Sequence, residues 1–280
     1  MRGGQWQVLR LHRGLIARRH ESLLLAREGS PLFTAAREEQ LPCEAMRPLR
    51  LRSRGFDLLH AHDARSHSLA ALLATAPLVV SRRVAFPVRR SASSRWKYSR
   101  PQLFLAVSRH VAEELMRAGL ERDRIEVVYD GVPVPVQPAQ GSDILAPHTL
   151  DPAKGMALAQ KAAKIAGVDL KISSDLATDL PRARVLVYLT QSEGLGSGIL
   201  LGMAHGVTVI ASRVGGIPEL IEDGVNGILV PNDAEAVAAA FRRADSSLGC
   251  AARATVQERF TEDHMIESTI AAYQKVLARA

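Results

Sequence analysis

Seven residues, Ser192-Glu193-Gly194-Leu195-Gly196-Ser197-Gly198, have the composition of a ligand-binding turn. They follow the apolar segment 185–189 and precede an apolar stretch with helical spacing. Alternating glycines let the backbone approach a bound group closely, and the first N–H groups of the following helix are available to an anion. Glu193 offers a carboxylate to hydroxyls of the kind a sugar carries. A second candidate is Asp151-Pro152-Ala153-Lys154-Gly155, a turn opening a helix expected over 154–166. A lysine in the first turn of a helix opposes the helix dipole unless an anion neutralises it, so Lys154 suits a phosphate. A charge-assisted hydrogen bond of this kind is worth about 1.5–3 kcal/mol.

Two further places carry open readings. In His60-Ala61-His62-Asp63 the alternation of a strand turns both histidines to one side, with His62 at the strand's end. Two histidines at i, i+2 without a third ligand make a poor metal site. His62 is then either a hydrogen-bonding residue beside substrate or a satisfied structural histidine. Arg2-Gly3-Gly4 either cradles a phosphate at the start of the first helix or is a plain loop. Cys43 and Cys250 are the only cysteines and lie far apart, which excludes a zinc spacing, a C-x-x-C redox pair and a secreted disulfide framework and favours a reducing cytosol.

The net charge of +7 is unevenly spread, with nineteen basic and seven acidic residues in 1–100 against seventeen and twenty-two in 101–280. No acidic residue lies between Asp63 and Glu113, whereas Arg65, Arg82, Arg83, Arg89, Arg90, Arg95, Lys97, Arg100 and Arg109 do. Such a field attracts phosphates on nucleic acid, anionic lipid or a small molecule, or it is a solvated arginine-rich face. No nucleic-acid-binding motif accompanies it, so a nucleic-acid partner is not expected.

The elements that must position these residues follow from periodicity. The chain of 280 residues has 47% hydrophobic, 23% charged and 4% aromatic residues, which describes a globular protein with a core of its own. Strands are expected at 22–26, 56–61, 78–81, 103–107, 125–129, 144–146, 168–172, 185–189, 207–212 and 227–230. Helices are expected at 5–19, 69–75, 109–118, 154–166, 198–204, 218–222 and in several pieces from 234 to 280. Strands alternating with helices imply parallel sheets. The segment 130–142 holds three prolines and two glycines, a linker composition, which predicts domains over 1–135 and 136–280, with the C-terminal helix crossing back to the first. The longest uncharged stretch, 194–212, is broken by glycines and His205 into a helix and a strand, so no transmembrane helix is read; nor does Met1–Gly14 read as a signal peptide. A doubly wound domain opens on a buried strand, and here the first helix follows Met1 almost at once; the reading favoured is a true start upstream of Met1, with a half-sheet reduced by one strand as the other.

The block QSEGLGSGILLGMAHGVTVIASRVGGIPELIEDGVNGILVPND (191–233) closely resembles the donor-binding half of the retaining GT-B glycosyltransferases of family 4. AVSRHVAEELMRAGLERDRIEVVYDGV (106–132) is similar to that family's interdomain passage, and RGGQWQVLRLHRGLIARRHE (2–21) to its opening loop and helix. The resemblance implies an α/β fold of two Rossmann-like domains facing across a cleft, the N-terminal one lacking its first strand. It implies transfer of a sugar from a nucleotide diphosphate-sugar, UDP- or GDP-linked, with retained anomeric configuration and neither metal nor other cofactor required. Glu193 would meet the sugar hydroxyls, the N–H groups of Leu195 and Gly196 beside Gly194 the sugar and phosphate, Lys154 the departing diphosphate, and Gly3-Gly4 would approach it from the other domain. Glu193, Lys154 and His62 are the catalytic candidates.

Three positions depart from the family pattern. Its second glutamate, eight residues after the first, is Leu201; the arginine five before the lysine is Thr149; and LKISSD (170–175) replaces a glycine-rich strand end. Both Leu201 and Thr149 fall in the donor site, and a catalytically weakened homologue acting as a binding or assembly subunit is the alternative reading. In the first domain, where the family receives its acceptor and touches membranes, Arg82, Arg83, Arg95 and Lys97 with Phe86, Trp96 and Tyr98 fit a lipid-linked or envelope-glycan acceptor at an anionic membrane surface. A cytoplasmic protein acting on the inner face of a membrane is expected.

Overall fold

The computed structural model describes residues 1, 3–52, 55–88 and 91–279. Arg2, Arg89 and Arg90, which belong to the N-terminal turn and the basic run of the sequence reading, lie outside the described residues. The chain forms two compact units, one of Met1–Asp130 with Glu262–Ala280 and one of Gly131–Thr261.

The first unit runs α1 (Gly3–Ala17), β1 (Leu24–Ala26), α2 (Pro31–Glu38), β2 (Cys43–Ala45), β3 (Leu59–Ala61), α3 (Ala64–Leu73), β4 (Leu78–Arg82), α4 (Ala92–Ser99), β5 (Leu103–Ala106), α5 (Arg109–Arg117) and β6 (Ile125–Val127). β1 and β2 form a parallel pair; β3-β4-β5-β6 form a parallel sheet in that order. The central β5 is buried at all four positions, as a parallel strand covered on both faces must be. α5 starts where the Ser108 hydroxyl accepts the Val111 N–H, and it stops at Gly119, whose φ of +93° few other residues adopt.

The second unit contains β7 (Asp143–Pro147), α6 (Met156–Ala166), β8 (Leu170–Ser173), α7 (Leu176–Asp179), β9 (Ala183–Tyr188), α8 (Ser197–Ala204), β10 (Thr208–Ser212), β11 (Ile228–Val230), α9 (Ala234–Phe241) and α10 (Ser246–Arg259). Its parallel sheet has the order β11-β10-β9-β7-β8, the doubly wound pattern in which the chain reverses direction at β7 and β9. The core is aliphatic: Val185, Val187, Ile210 and Ile228 with Ala159, Ala162 and Val237.

The last helix, α11 (Glu262–Leu277), packs in the first unit, setting Met265 and Ile266 against Leu11 and Leu15 of α1. A Cβ on Gly14 would stand 2.1 Å from Ile266 Cδ1, so glycine is what permits this approach. Arg10–Glu262 (3.0 Å) and Arg18–Asp263 (2.6 Å) flank the contact.

The structure differs from the periodicity reading in five ways. The helix expected over 69–75 runs Ala64–Leu73, because the Asp63 carboxylate accepts the Arg65 and Ser66 N–H groups and starts it earlier. The strand expected over 56–61 pairs only from Leu59, whose N–H bonds to Pro77; Pro77 has no N–H with which to extend the ladder. The helix expected over 218–222 is one 3₁₀ turn, Ile217–Glu219. The helix expected from Lys154 begins at Met156, because Lys154 ends a 3₁₀ turn and Gly155 follows with φ +65°. Lys154 therefore stands outside the α-helix, and the dipole argument for it does not apply. Finally, α2, β2, α4 and α7 are additional elements; α4 and α7 bury none of their side chains, so they carried no apolar period to read.

Candidate functional site

In the second unit the loops after β7 and β9 bring the two charged candidates together. Lys154 Nζ lies 2.9 Å from Glu193 Oε2, with Lys154 36% and Glu193 17% exposed, so the pair is wet enough to open for a ligand. Tyr188 Oη donates to the same Oε2 (3.1 Å), and the Gly194 N–H donates to Oε1 (3.1 Å). Burial, and then the neighbouring carboxylate, push the Tyr188 phenol well above its ordinary pKa, so it remains a donor.

The backbone around this pair is fixed at several points. The Gln191 N–H bonds to the Ala153 carbonyl (2.8 Å), tying the Lys154 turn to the Glu193 loop. Gly155 is required there twice over: its φ is +65°, and a Cβ would stand 2.6 Å from that of Leu189. Below the loop, buried Ser212 accepts the Thr190 N–H (2.9 Å) and donates to Asn232 Oδ1 (2.6 Å), while Asn232 Nδ2 donates to the Thr190 carbonyl (2.9 Å). The ends of β9 and β10 and the turn after β11 are thereby locked together. Gly215, at φ +57°, lies so close that a Cβ would come within 2.0 Å of the Glu193 carbonyl.

The other donor-side candidates take these places. Gly194, Leu195 and Gly196 are buried, and Gly196, at φ +110°, caps α8 without a side-chain hydrogen bond. Leu201 is half-buried on α8. The Thr149 hydroxyl accepts the Asp151 N–H (3.1 Å) and so serves the turn itself. Arg213, the residue after β10, pairs with Asp223 (2.8 Å).

In the first unit Gly3 and Gly4 form the first turn of α1, and the Cβ that Gly4 lacks would lie 3.8 Å from Arg83 Cδ. The Arg83 guanidinium bonds Asp130 through Nε (3.1 Å) and reaches His62 Nδ1 at 3.4 Å. A guanidinium only donates, so His62 Nδ1 is the acceptor and its proton sits on Nε2. The His62 ring lies 3.9 Å from that of His60, which is held by Tyr273 Oη (2.6 Å) and Ser81 Oγ (2.8 Å). Burial lowers the His60 pKa to about 3, and burial with the His60 and Arg83 charges takes His62 well below the ordinary histidine value. His62 is thus a neutral group with an N–H to offer. Arg82 is occupied by Tyr98 Oη (3.1 Å) and the Phe86 carbonyl, and Lys97 Nζ by the Ala64 carbonyl (3.0 Å). Arg95 is exposed, as are Phe86 and Trp96.

Tyr188, Ser212, Asn232, Asp130 and Tyr273 were not singled out from sequence. Only Tyr188 carried a signal, as the one hydroxyl within the otherwise aliphatic run 185–189.

Residues 1–134 match the family model described as Glycosyltransferase Family 4, and residues 150–245 the model described as Glycosyl transferases group 1. In structure the chain is similar to HepE of Anabaena in complex with UDP, at a TM-score of 0.84 over 98% of this chain and 96% of that one, with 15% identity. The chain has the GT-B fold, and its two halves match glycosyltransferase family models. A second GT-B neighbour is WaaB, a lipopolysaccharide outer core galactosyltransferase, with a TM-score of 0.73, 13% identity and coverage of 98% and 96%. In sequence the GT-B chain is 39% identical over 112 residues to alpha-maltose-1-phosphate synthase of Mycolicibacterium smegmatis, a stretch that spans 35% of this chain and 29% of the synthase. The four- and five-stranded sheets are the centres of the two Rossmann-like GT-B domains, and no helix among the described residues is long and apolar enough to cross a membrane.

Proposed function

We propose that this chain transfers a sugar from a nucleotide diphosphate-sugar to a lipid-linked or envelope-glycan acceptor, with retention of the anomeric configuration and without a metal. One observation carries the reading: a lysine and a glutamate 2.9 Å apart, both partly exposed, at a glycine-rich turn entering α8. A diphosphate-sugar brings an anion for Lys154 and hydroxyls for Glu193, so binding it replaces the internal ion pair with one partner for each member. Lys154 would stabilise the negative charge that grows on the leaving diphosphate, which is electrostatic catalysis by a group already in place. The N–H groups of Leu195 and Gly196 would hold the sugar and phosphate. His62, kept neutral, would act as a hydrogen-bond donor rather than a base. HepE, which is described in complexes with UDP and with UDP-glucose, supports uridine nucleotides as first donors to try. The first unit would receive the acceptor. The exposed Arg95, Phe86 and Trp96 suit contact with an anionic membrane surface at the cytoplasmic face, and the lipopolysaccharide role of WaaB supports an envelope acceptor.

A second reading, a binding or assembly subunit with weakened catalysis, is favoured by Leu201, which presents no polar group on α8, and by Thr149, whose hydroxyl is used within its own turn. Calorimetric titration of UDP- and GDP-sugars into the wild-type protein, Lys154→Ala and Glu193→Ala separates the possibilities. The transferase reading expects saturable binding of one donor, weakened about ten- to a hundredfold in each variant, together with slow release of the nucleotide diphosphate on incubation. Binding without turnover over any acceptor would leave the subunit reading. Absence of binding by every donor to the folded protein would refute donor recognition.

A further inference from the structure

We infer that Tyr188 is a positioning residue for Glu193, fixing the carboxylate for a donor sugar when Lys154 is drawn away to phosphate; the inference rests on the donor site proposed above. In the ligand-free protein Oε2 of Glu193 has two side-chain donors, Lys154 Nζ and Tyr188 Oη, while Oε1 has the Gly194 N–H. Of the two side chains, Lys154 is a cation on a flexible, partly exposed stem at the end of a 3₁₀ turn, and it is the one an anion would take. Tyr188 has no such freedom. It is the last residue of β9, and its ring edge lies over the start of α8, where a Cβ on Gly198 would stand only 2.8 Å from Tyr188 Cε2 and 3.5 Å from Leu176 Cδ1. Gly198 therefore makes the slot that the ring occupies. A phenol carries no charge, so phosphate draws it less strongly than it draws the Lys154 ammonium. Once Lys154 turns away, Tyr188 Oη and the Gly194 N–H remain as a two-point clamp, one on each carboxylate oxygen, and the free lone pairs stay aimed at the ligand.

Two variants and two readouts test this. Tyr188→Phe removes only the hydroxyl, and Gly198→Ala pushes the ring off its slot while keeping it. Both are expected to raise the Kd for UDP-glucose about tenfold while leaving the Kd for UDP within about twofold, since UDP offers phosphate to Lys154 but no sugar to Glu193. The ligand-free readout is the backbone amide resonance of Gly194, which Tyr188→Phe is expected to move because the carboxylate it bonds loses its clamp. Equal weakening of UDP and UDP-glucose, or of neither, would overturn the inference, as would an unmoved Gly194 amide. If wild-type protein binds no nucleotide sugar, the donor-site reading fails on its own, and the Gly194 amide still decides whether Tyr188 holds Glu193.

Discussion

Replacing Gly215 with alanine isolates how far the Glu193 loop depends on one close backbone approach. The added Cβ would come within 2.0 Å of the Glu193 carbonyl oxygen, well inside van der Waals contact and against backbone that cannot rotate away as a side chain would. That carbonyl also accepts the Gly216 N–H at 3.1 Å. Two costs follow: placing alanine at φ +57° takes about 1–2 kcal/mol, and separating the strands of the turn forfeits a hydrogen bond worth about 1 kcal/mol. A total of about 2–3 kcal/mol is expected, with Glu193 displaced from Lys154 and Tyr188. Gly167 is the control, since it has φ +67° in the same unit with nothing within 4 Å of its missing Cβ, so Gly167→Ala carries the backbone cost alone. Urea unfolding should be followed by circular dichroism, because both tryptophans, Trp6 and Trp96, lie in the other unit. Gly215→Ala should lose clearly more stability than Gly167→Ala and should bind nucleotide sugar poorly even when folded. If the two variants are equally stable within about 0.5 kcal/mol, the close approach does not constrain the loop and the reasoning fails.

Ser212→Ala should cost about 1–3 kcal/mol, because it orphans the buried Thr190 N–H, whereas Asn232 is exposed and its Oδ1 regains water; a urea-unfolding loss below about 0.5 kcal/mol would show that water replaces the hydroxyl at Thr190 as well. The folded-state pKa values of His60, about 3, and His67, about 4, lie below the ordinary 6.5, chiefly through burial. The unfolded chain therefore takes up protons first as pH falls, and stability should be full above pH 6.5 and decline from there towards pH 4, by up to about 1.4 kcal/mol per pH unit for each histidine. His67→Gln should reduce that slope in equilibrium unfolding between pH 6.5 and 4, and an unchanged slope would mean that the ring is protonated in the folded protein.

Much of this chain is legible in its residues. The stripe Val8, Leu9, Leu11 and Leu15 announces α1, the aliphatic run before Thr190 announces β9, and Ser108 and Gly119 mark both ends of α5. These signals are local, arising from periodicity and from backbone conformations that only certain residues favour, and so sequence carries them. Glu193 and Lys154 are legible for the same reason, as charged residues in short turns at strand ends. The α2–β2 excursion and α4 escaped because their elements are short or bury little, leaving hydrophobic period no purchase.

Tertiary structure decided which groups meet. Thirty-nine positions separate Lys154 from Glu193, and their 2.9 Å contact exists because the doubly wound sheet places β7 and β9 side by side, so that the loops leaving them share one edge. The same packing converts Tyr188 from an odd member of a buried strand into a donor to Glu193, and makes Gly198 and Gly215 necessary through atoms far from them in sequence. It also occupies Arg82 and Lys97 with hydrogen bonds inside the fold while leaving Arg95 exposed. Sequence set the residue types and the elements, since those depend on near neighbours. Partners across the sheet depend on strand order and register, and these are properties of the folded chain alone.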